Sequence, residues 1–208
     1  TGDIEARPAV KTAFLAVGAV LASLVGTTGA SVLLIRPLLA TNQERRHVAH
    51  TVVFFIFVVS NVGGCLTPLG DPPLFLGYLL GVPFAWTLRL APHWLLANGM
   101  ILTVYYFWDR RAHAREDKAA IALDAAAVRP IRVTGKRNVI FLLAVVASVA
   151  FLRAPYRELA MVAVSALSLA LTSRAVREAN RFTFHAIAEV AALFAGIFVT
   201  MLPALDVL

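Results

Sequence analysis

A glycine- and proline-rich string cuts through an apolar stretch at residues 60–73, which read SNVGGCLTPLGDPP. A nine-residue apolar run, 51–59, precedes it, and a second apolar run, 74–81, follows. Nine helical residues rise roughly 13 Å, under half of a hydrocarbon core of about 30 Å, so neither run crosses a bilayer alone and the two together can. Three glycines and three prolines among those fourteen residues oppose a continuous helix. The expectation is a broken transmembrane helix over residues 47–81, with the broken part held at depth.

A second interruption lies upstream. Residues 9–40 are apolar except for Lys11 and Arg36, and the string GTTGAS, 26–31, divides them. Each arm falls short of the roughly 20 residues a comfortable crossing needs. Two short arms about a Gly/Thr-rich tip predict a re-entrant hairpin whose tip lies near the bilayer centre, facing protein or water rather than lipid. Further spans are expected at 93–108, 138–152, 159–172 and 182–202, with Trp86, Arg89, His93 and Trp94 in an interfacial belt. The fold class is therefore an all-α polytopic membrane protein. Composition agrees: 60% of residues are hydrophobic and 15% charged, against about 45–50% and about 25% in soluble domains.

The net charge of +7 invites a nucleic-acid reading. Its distribution opposes that, because the cations lie in loops between apolar runs. If the hairpin enters and leaves on one face, that face holds 16 of the 19 lysines and arginines, including those of the polar loop 109–137. The positive-inside bias then makes 109–137 a cytoplasmic basic loop. The single cysteine, Cys65, excludes a disulfide framework within the chain. Opening on TGDIEARP and stopping just after an apolar run, the sequence reads as a piece lacking both ends, one not expected to fold alone.

A broken helix leaves carbonyls unpaired at the end of its first half and N–H groups unpaired at the start of its second. Carbonyls near 58–61, with the side chains of Ser60, Asn61 and Thr67, can ligate a hard cation, while N–H groups of the second half can hold an anion. Asp71 before Pro72 and Pro73 reads as a helix N-cap, or as an ionisable group at depth with a coupling role. Gly63 and Gly64 serve either the site or close helix packing. Gly26, Thr27, Thr28, Gly29 and Ser31 form either a second wall of the site or a turn that satisfies its own backbone. Glu189, inside the last span, is a second candidate coupling residue, or a partner of Arg181 or His185 near the interface. His47 and His50 sit beside Arg45 and Arg46, which favours a solvated helix start over a metal pair. No HExxH, GxSxG, Walker A or GxGxxG occurs, so the chain is not read as an enzyme.

The pairing of TTGASVLLIRP with SNVGGCLTPLGDPP resembles the ion transporter superfamily, which includes sodium/proton antiporters, arsenite pumps and citrate or dicarboxylate symporters. The second string, followed by FLGYLLGVPFAWTL, looks especially like the sodium/proton-antiporter and citrate-transport branch; EVAALFAGIFVTMLP is similar to the opening of that branch's second half. The resemblance covers most of the chain, least of all 109–137. It implies an inverted-repeat transporter, dimeric and elevator-like, in which hairpin tip and broken helix form a sodium site and one side of the substrate site. Carried over, the site residues are Thr27, Thr28, Gly29 and Ser31 at the tip, and Ser60, Asn61, Gly63, Gly64, Thr67, Pro68, Gly70, Asp71, Pro72 and Pro73 in the break. Where the symporters carry Ser-Asn-Thr, this tip has Thr27-Thr28-Gly29 and so lacks an amide.

On this reading residues 1–108 are the first-repeat transport core and 138–208 begin the second repeat. The expected function is secondary transport by sodium/proton antiport in a bacterial inner membrane, with a sodium ion as the bound species. Cation-coupled transport of citrate or another carboxylate is the alternative. A membrane-embedded enzyme or scaffold subunit is the reading from another class. The implied partners are the lipid bilayer, sodium and protons or a small carboxylate, and a second copy of the chain.

Overall fold

The computed structural model describes residues 6–43, 45–117, 121, 135–179 and 183–207, excepting the side chains of 186 and 201–207. Most of the predicted 109–137 loop, and Arg181, lie outside the described residues. All regular structure among the described residues is helical: α1 (Pro8–Val25), α2 (Thr27–Ala40), α3 (Ala49–Val58), a 3-10 helix (Val62–Leu66), α4 (Pro72–Leu79), a second 3-10 helix (Phe84–Leu90), α5 (Ala91–His113), α6 (Arg137–Phe151), α7 (Tyr156–Leu171), α8 (Arg174–Ala179) and α9 (His185–Val207).

The hairpin turns on one residue. Gly26 adopts φ 84°, a backbone conformation that costs glycine little, and α2 begins at Thr27. The expected six-residue break at 26–31 is thus corrected to Gly26 alone, with Thr27, Thr28 and Gly29 in the first turn of α2 and Ser31 opening the second. A single positive-φ glycine reverses the chain, so the hydroxyl residues are free to be helical. The arms run antiparallel: Gly18 and Leu34, each eight residues from Gly26, lie against one another. At 18 residues α1 is longer than the sequence suggested, with mean hydropathy 1.8; it reaches the lower limit of a spanning helix, about 17 residues.

Helix is interrupted between Val58, the end of α3, and Pro72, the start of α4. The non-helical or 3-10 part covers 59–71, because Pro72 and Pro73 open α4 instead of ending the break. The prolines need no N–H donors in a first helical turn. Three other boundaries differ. α5 extends to His113, beyond the expected end at 108, which carries Asp109 into the interior. A 3-10 helix occupies 84–90, and the short helix α8 lies between the expected spans 159–172 and 182–202.

The core lies among α1, α2, α3, the first 3-10 helix and α5. Leu15, Ala19 and Ala22 of α1 meet Ala30 and Leu38 of α2, Phe54, Phe55 and Val58 of α3, Val59, and Trp94 and Tyr105 of α5. α6 and α7 pack on each other at the edge of this body. α7 buries none of its residues, and Leu159, Val162, Leu167 and Leu171 point outward. Continuous apolar faces of that extent suit lipid or a further protein layer, not water. The link to the core runs through Tyr78 at the end of α4. Its hydroxyl donates to the Val149 carbonyl at 2.7 Å and accepts from Arg157 Nη1 at 2.7 Å.

One end of the core is clamped by buried charge. Lys11 Nζ, fully buried, donates to Asp109 Oδ1 at 2.8 Å and to Asn42 Oδ1 at 3.1 Å. Arg45 Nη1 lies 3.0 Å, and His50 Nε2 2.9 Å, from the same Asp109 Oδ1. Glu116 accepts the backbone N–H groups of His47 at 2.8 Å and Arg46 at 3.2 Å. The starts of α1 and α3, the end of α2 and the end of α5 therefore meet at one end of the body. His50 is accordingly not a solvated residue: its side chain is 8% exposed and stacks on Trp108. The exposed His47, in contrast, fits the expectation for a helix start.

Removing one member of a buried charge set leaves the others uncompensated, at a cost of about 3–5 kcal/mol. Asp109→Asn should therefore lower the thermal unfolding midpoint of the full-length protein in detergent, whereas substitution of the exposed neighbour Arg110 by Gln should not. Burial opposes ionisation of Glu116, but the two backbone donors and the charge of Arg45 outweigh it and hold this carboxyl below its ordinary range. A carboxyl lowered by folding stabilises above its unfolded pKa and loses that contribution as pH falls through the folded value. The clamp should hold at pH 5 and above and weaken below about pH 4.3, with Glu116→Gln flattening that acid limb in unfolding scans.

Candidate functional site at the helix break

α3 is all but uniformly apolar, so nothing within it competes for its backbone until Ser60 and Asn61. There the ladder closes irregularly, with the N–H groups of both Val59 and Ser60 donating to the Phe55 carbonyl. The 3-10 helix that follows is seated against α1. Gly63 presses on the backbone of Ala19: a Cβ at Gly63 would stand 2.8 Å from Ala19 Cα and 2.4 Å from the Val58 carbonyl oxygen. Gly18, Ala19, Ala22 and Ser23 give α1 the small-residue face that permits this approach.

Backbone groups freed by the break find protein partners. The Gly63 carbonyl accepts Ser23 Oγ at 2.5 Å and Trp94 Nε1 at 3.0 Å. Thr67 Oγ1 donates to the Ser23 carbonyl and accepts from Leu69 N–H at 3.3 Å. Gly64 N–H donates to the Asn61 carbonyl at 3.0 Å, and Gly70 N–H to the Thr67 carbonyl at 3.0 Å. Thr67 thus acts as a brace for the break, buried with Pro68.

The hairpin tip docks on this brace. Thr27 N–H donates to the Gly70 carbonyl at 3.1 Å. Gly64 and Gly70 lie backbone to backbone; a Cβ at Gly70 would fall 1.9 Å from the Gly64 carbonyl oxygen, and one at Gly64 would fall 2.5 Å from Thr27 Cγ2. A turn later, Ser31 and Ser60 share a hydroxyl–hydroxyl hydrogen bond of 2.7 Å. The sequence-predicted residues Thr27, Ser31, Ser60, Gly63, Gly64, Thr67 and Gly70 are thus brought together. Thr28 and Asn61 are exposed, and Gly29 is half-buried, with Val25 the side chain that a Cβ there would meet.

Asp71 takes the N-cap position of α4 in extended conformation, φ −143° and ψ 138°, but its side chain makes no capping bond. A cap bonds the N–H of the second or third helical residue; Pro73 removes the first of these donors, and the Asp71 side chain does not bond the other, that of Leu74. The capping expectation is corrected in that respect, and the half-buried carboxylate is left for other contacts. Glu189 stands on α9, 68% exposed, 3.1 Å from His185 Nε2 one turn back. It is thus in an exposed pair and not at the break. Cys65 packs at the edge of the core. Among the described residues no cluster of His, Cys, Asp and Glu suits a bound metal.

Three helix ends converge here. α2 and α4 present their N-termini, and α3 its C-terminus, around the contacts of Thr27, Gly70, Ser31 and Ser60. Helix N-termini carry partial positive charge and C-termini partial negative charge. The arrangement can hold an anionic group and a hard cation near one another. The sequence missed Lys11 and Asp109 as partners because ninety-odd residues separate them; the available signal was a lone lysine in an apolar run, which needs a buried counter-charge.

Substitutions should follow the backbone contacts. Gly70→Ala forces a side chain into the Gly64 carbonyl and should lower the unfolding midpoint sharply, at about 3 kcal/mol or more. Gly99→Ala, where nothing lies within 4 Å of the added Cβ, should leave the midpoint unchanged or raise it, with a gain in stability of up to about 1 kcal/mol from helix propensity.

No curated protein and no solved structure matches the chain. The family model for putative citrate transport matches it over residues 1–208. The interrupted helix, its docked hairpin and the outward apolar faces are thus those of a member of the putative citrate transport family.

Proposed function

We propose that this chain supplies one half of the binding site of a cation-coupled transporter for citrate or another small carboxylate. The observation that carries the reading is the convergence of the α2 and α4 N-termini with the α3 C-terminus at residues 59–71, in a chain of a citrate-transport family. On this reading the exposed Thr28 and Asn61 face the substrate, the amides of Thr28 and Gly29 in α2 and of Leu74 in α4 receive a carboxylate, and the Ser31 and Ser60 hydroxyls help to hold a sodium ion. Gly63, Gly64, Thr67, Pro68 and Gly70 keep the break rigid, and Asp71 serves cation coupling. Residues 1–108 form the first repeat, 138–208 open the second, and the charged end faces the cytoplasm of an inner membrane. The second half of the site comes from an inverted repeat, in a homodimer.

Sodium/proton antiport is a second reading. It is favoured by the hydroxyl-rich tip without an amide and by the uncapped Asp71 carboxylate, both better matched to a hard cation than to an organic anion. Vesicles containing the full-length protein separate the two. Saturable, gradient-driven uptake of labelled citrate is expected, and Asn61→Ala should lower it about 10-fold or more, as loss of a hydrogen bond to a charged ligand does. A proton flux driven by sodium without citrate, unaffected by Asn61→Ala, would favour antiport. Absence of both activities would overturn the reading.

A further inference from the structure

A groove of about 880 Å³ runs between the start of α3 and the last turns of α5, at the clamped end of the body. It is separate from the helix break and shares none of its residues. Val104, Trp108, Arg111 and Arg115 recur at intervals of four, three and four, so they line one face of α5 and the turn beyond it. The stripe changes character along its length. Val104, Phe107 and Trp108 are each more than half exposed, and Arg111 and Arg115 follow, with Arg46 and His47 across the groove. All three arginine side chains are exposed, whereas Asp109 and Glu116 turn inward and are spent on the clamp.

We propose that this groove binds an anionic phospholipid of the surrounding membrane, with its phosphate among Arg46, Arg111 and Arg115 and an acyl chain along Val104, Phe107 and Trp108. The inference rests on the membrane reading of the chain but not on what is transported. Charge complementarity favours an anionic headgroup: among the described residues the groove's lining holds no acidic side chain, and while His47 and His50 turn to Glu116 and Asp109, the three arginine side chains do not. The apolar part favours a lipid over free phosphate, since an inorganic anion would leave Phe107 and Trp108 uncovered. A tryptophan at the junction of apolar and charged surface also suits the headgroup level of a bilayer. Bound there, the lipid bridges α3 and α5 beside the Lys11–Asp109 clamp.

Trp108 supplies the readout. The full-length protein in neutral detergent is titrated with brominated phosphatidylglycerol or brominated phosphatidylcholine, and tryptophan quenching is followed. The component lost in Trp108→Phe is the groove's signal. Each basic side chain near an anionic surface contributes about five-fold in affinity. The phosphatidylglycerol preference should therefore exceed about 10-fold, and R46Q/R111Q/R115Q should abolish it, while the distant R153Q should not. Equal quenching of the Trp108 component by both lipids in the unsubstituted protein would overturn the proposal, even if the triple variant failed to fold. So would a preference that survives in a folded triple variant, or complete displacement of the lipid by millimolar inorganic phosphate.

Discussion

A helix interrupted inside apolar surroundings must find partners for its freed backbone groups within the protein, since neither lipid nor a hydrocarbon-like core offers any. At residues 59–71 that requirement is met by Ser23, Thr67 and Trp94 from three different segments, and by Thr27 N–H at the hairpin tip. Such partners reach the break only because the backbones come unusually close. Gly63 against Ala19, and Gly64 against Gly70, leave no room for a Cβ. The small face of α1, the one-residue turn at Gly26 and the indole of Trp94 all serve the same satisfied break.

The two ends of the core solve different problems. At the tip end, polar backbone is held by neutral hydroxyls, an indole and glycine contacts, which leaves the dipoles of three helices pointing into a shared region. At the other end, a lysine, an arginine, a histidine and two carboxylates compensate one another in near-complete burial. α1 connects them. At about 1.5 Å per residue, Gly26 stands about 22 Å from Lys11, so an anchored base carries the tip.

Local signals in the sequence carried the break at 60–73, the hairpin and the order of the helices, because glycine, proline and apolar run length act on their own neighbourhood. The tip was read too wide: a Gly/Thr/Ser string looks like a loop, yet one positive-φ glycine suffices and the rest joins α2. Asp71 took the predicted N-cap position without the predicted bond; the second of the two prolines that mark the helix start also removes one of the cap's donors. Sequence alone puts Asp109 in a loop and His50 in solvent, because their partners lie far away along the chain. Glu189 was correctly paired with His185 in one of its two readings, a contact within one helical turn. Distance along the chain, more than chemistry, divided what was legible from what was not.

The central claim is that the docked tip and the break form one surface that meets the transported solute. It is tested most directly by thiol accessibility in the full-length protein with Cys65 replaced by Ser. Thr28→Cys and Asn61→Cys, both at exposed positions, are labelled by a hydrophilic maleimide with and without citrate and sodium. Protection of both cysteines together, with a cysteine at the exposed Arg153 in the turn between α6 and α7 unaffected, is the predicted result. Equal labelling rates at both sites whatever the solute, or protection of only one, would contradict a shared surface.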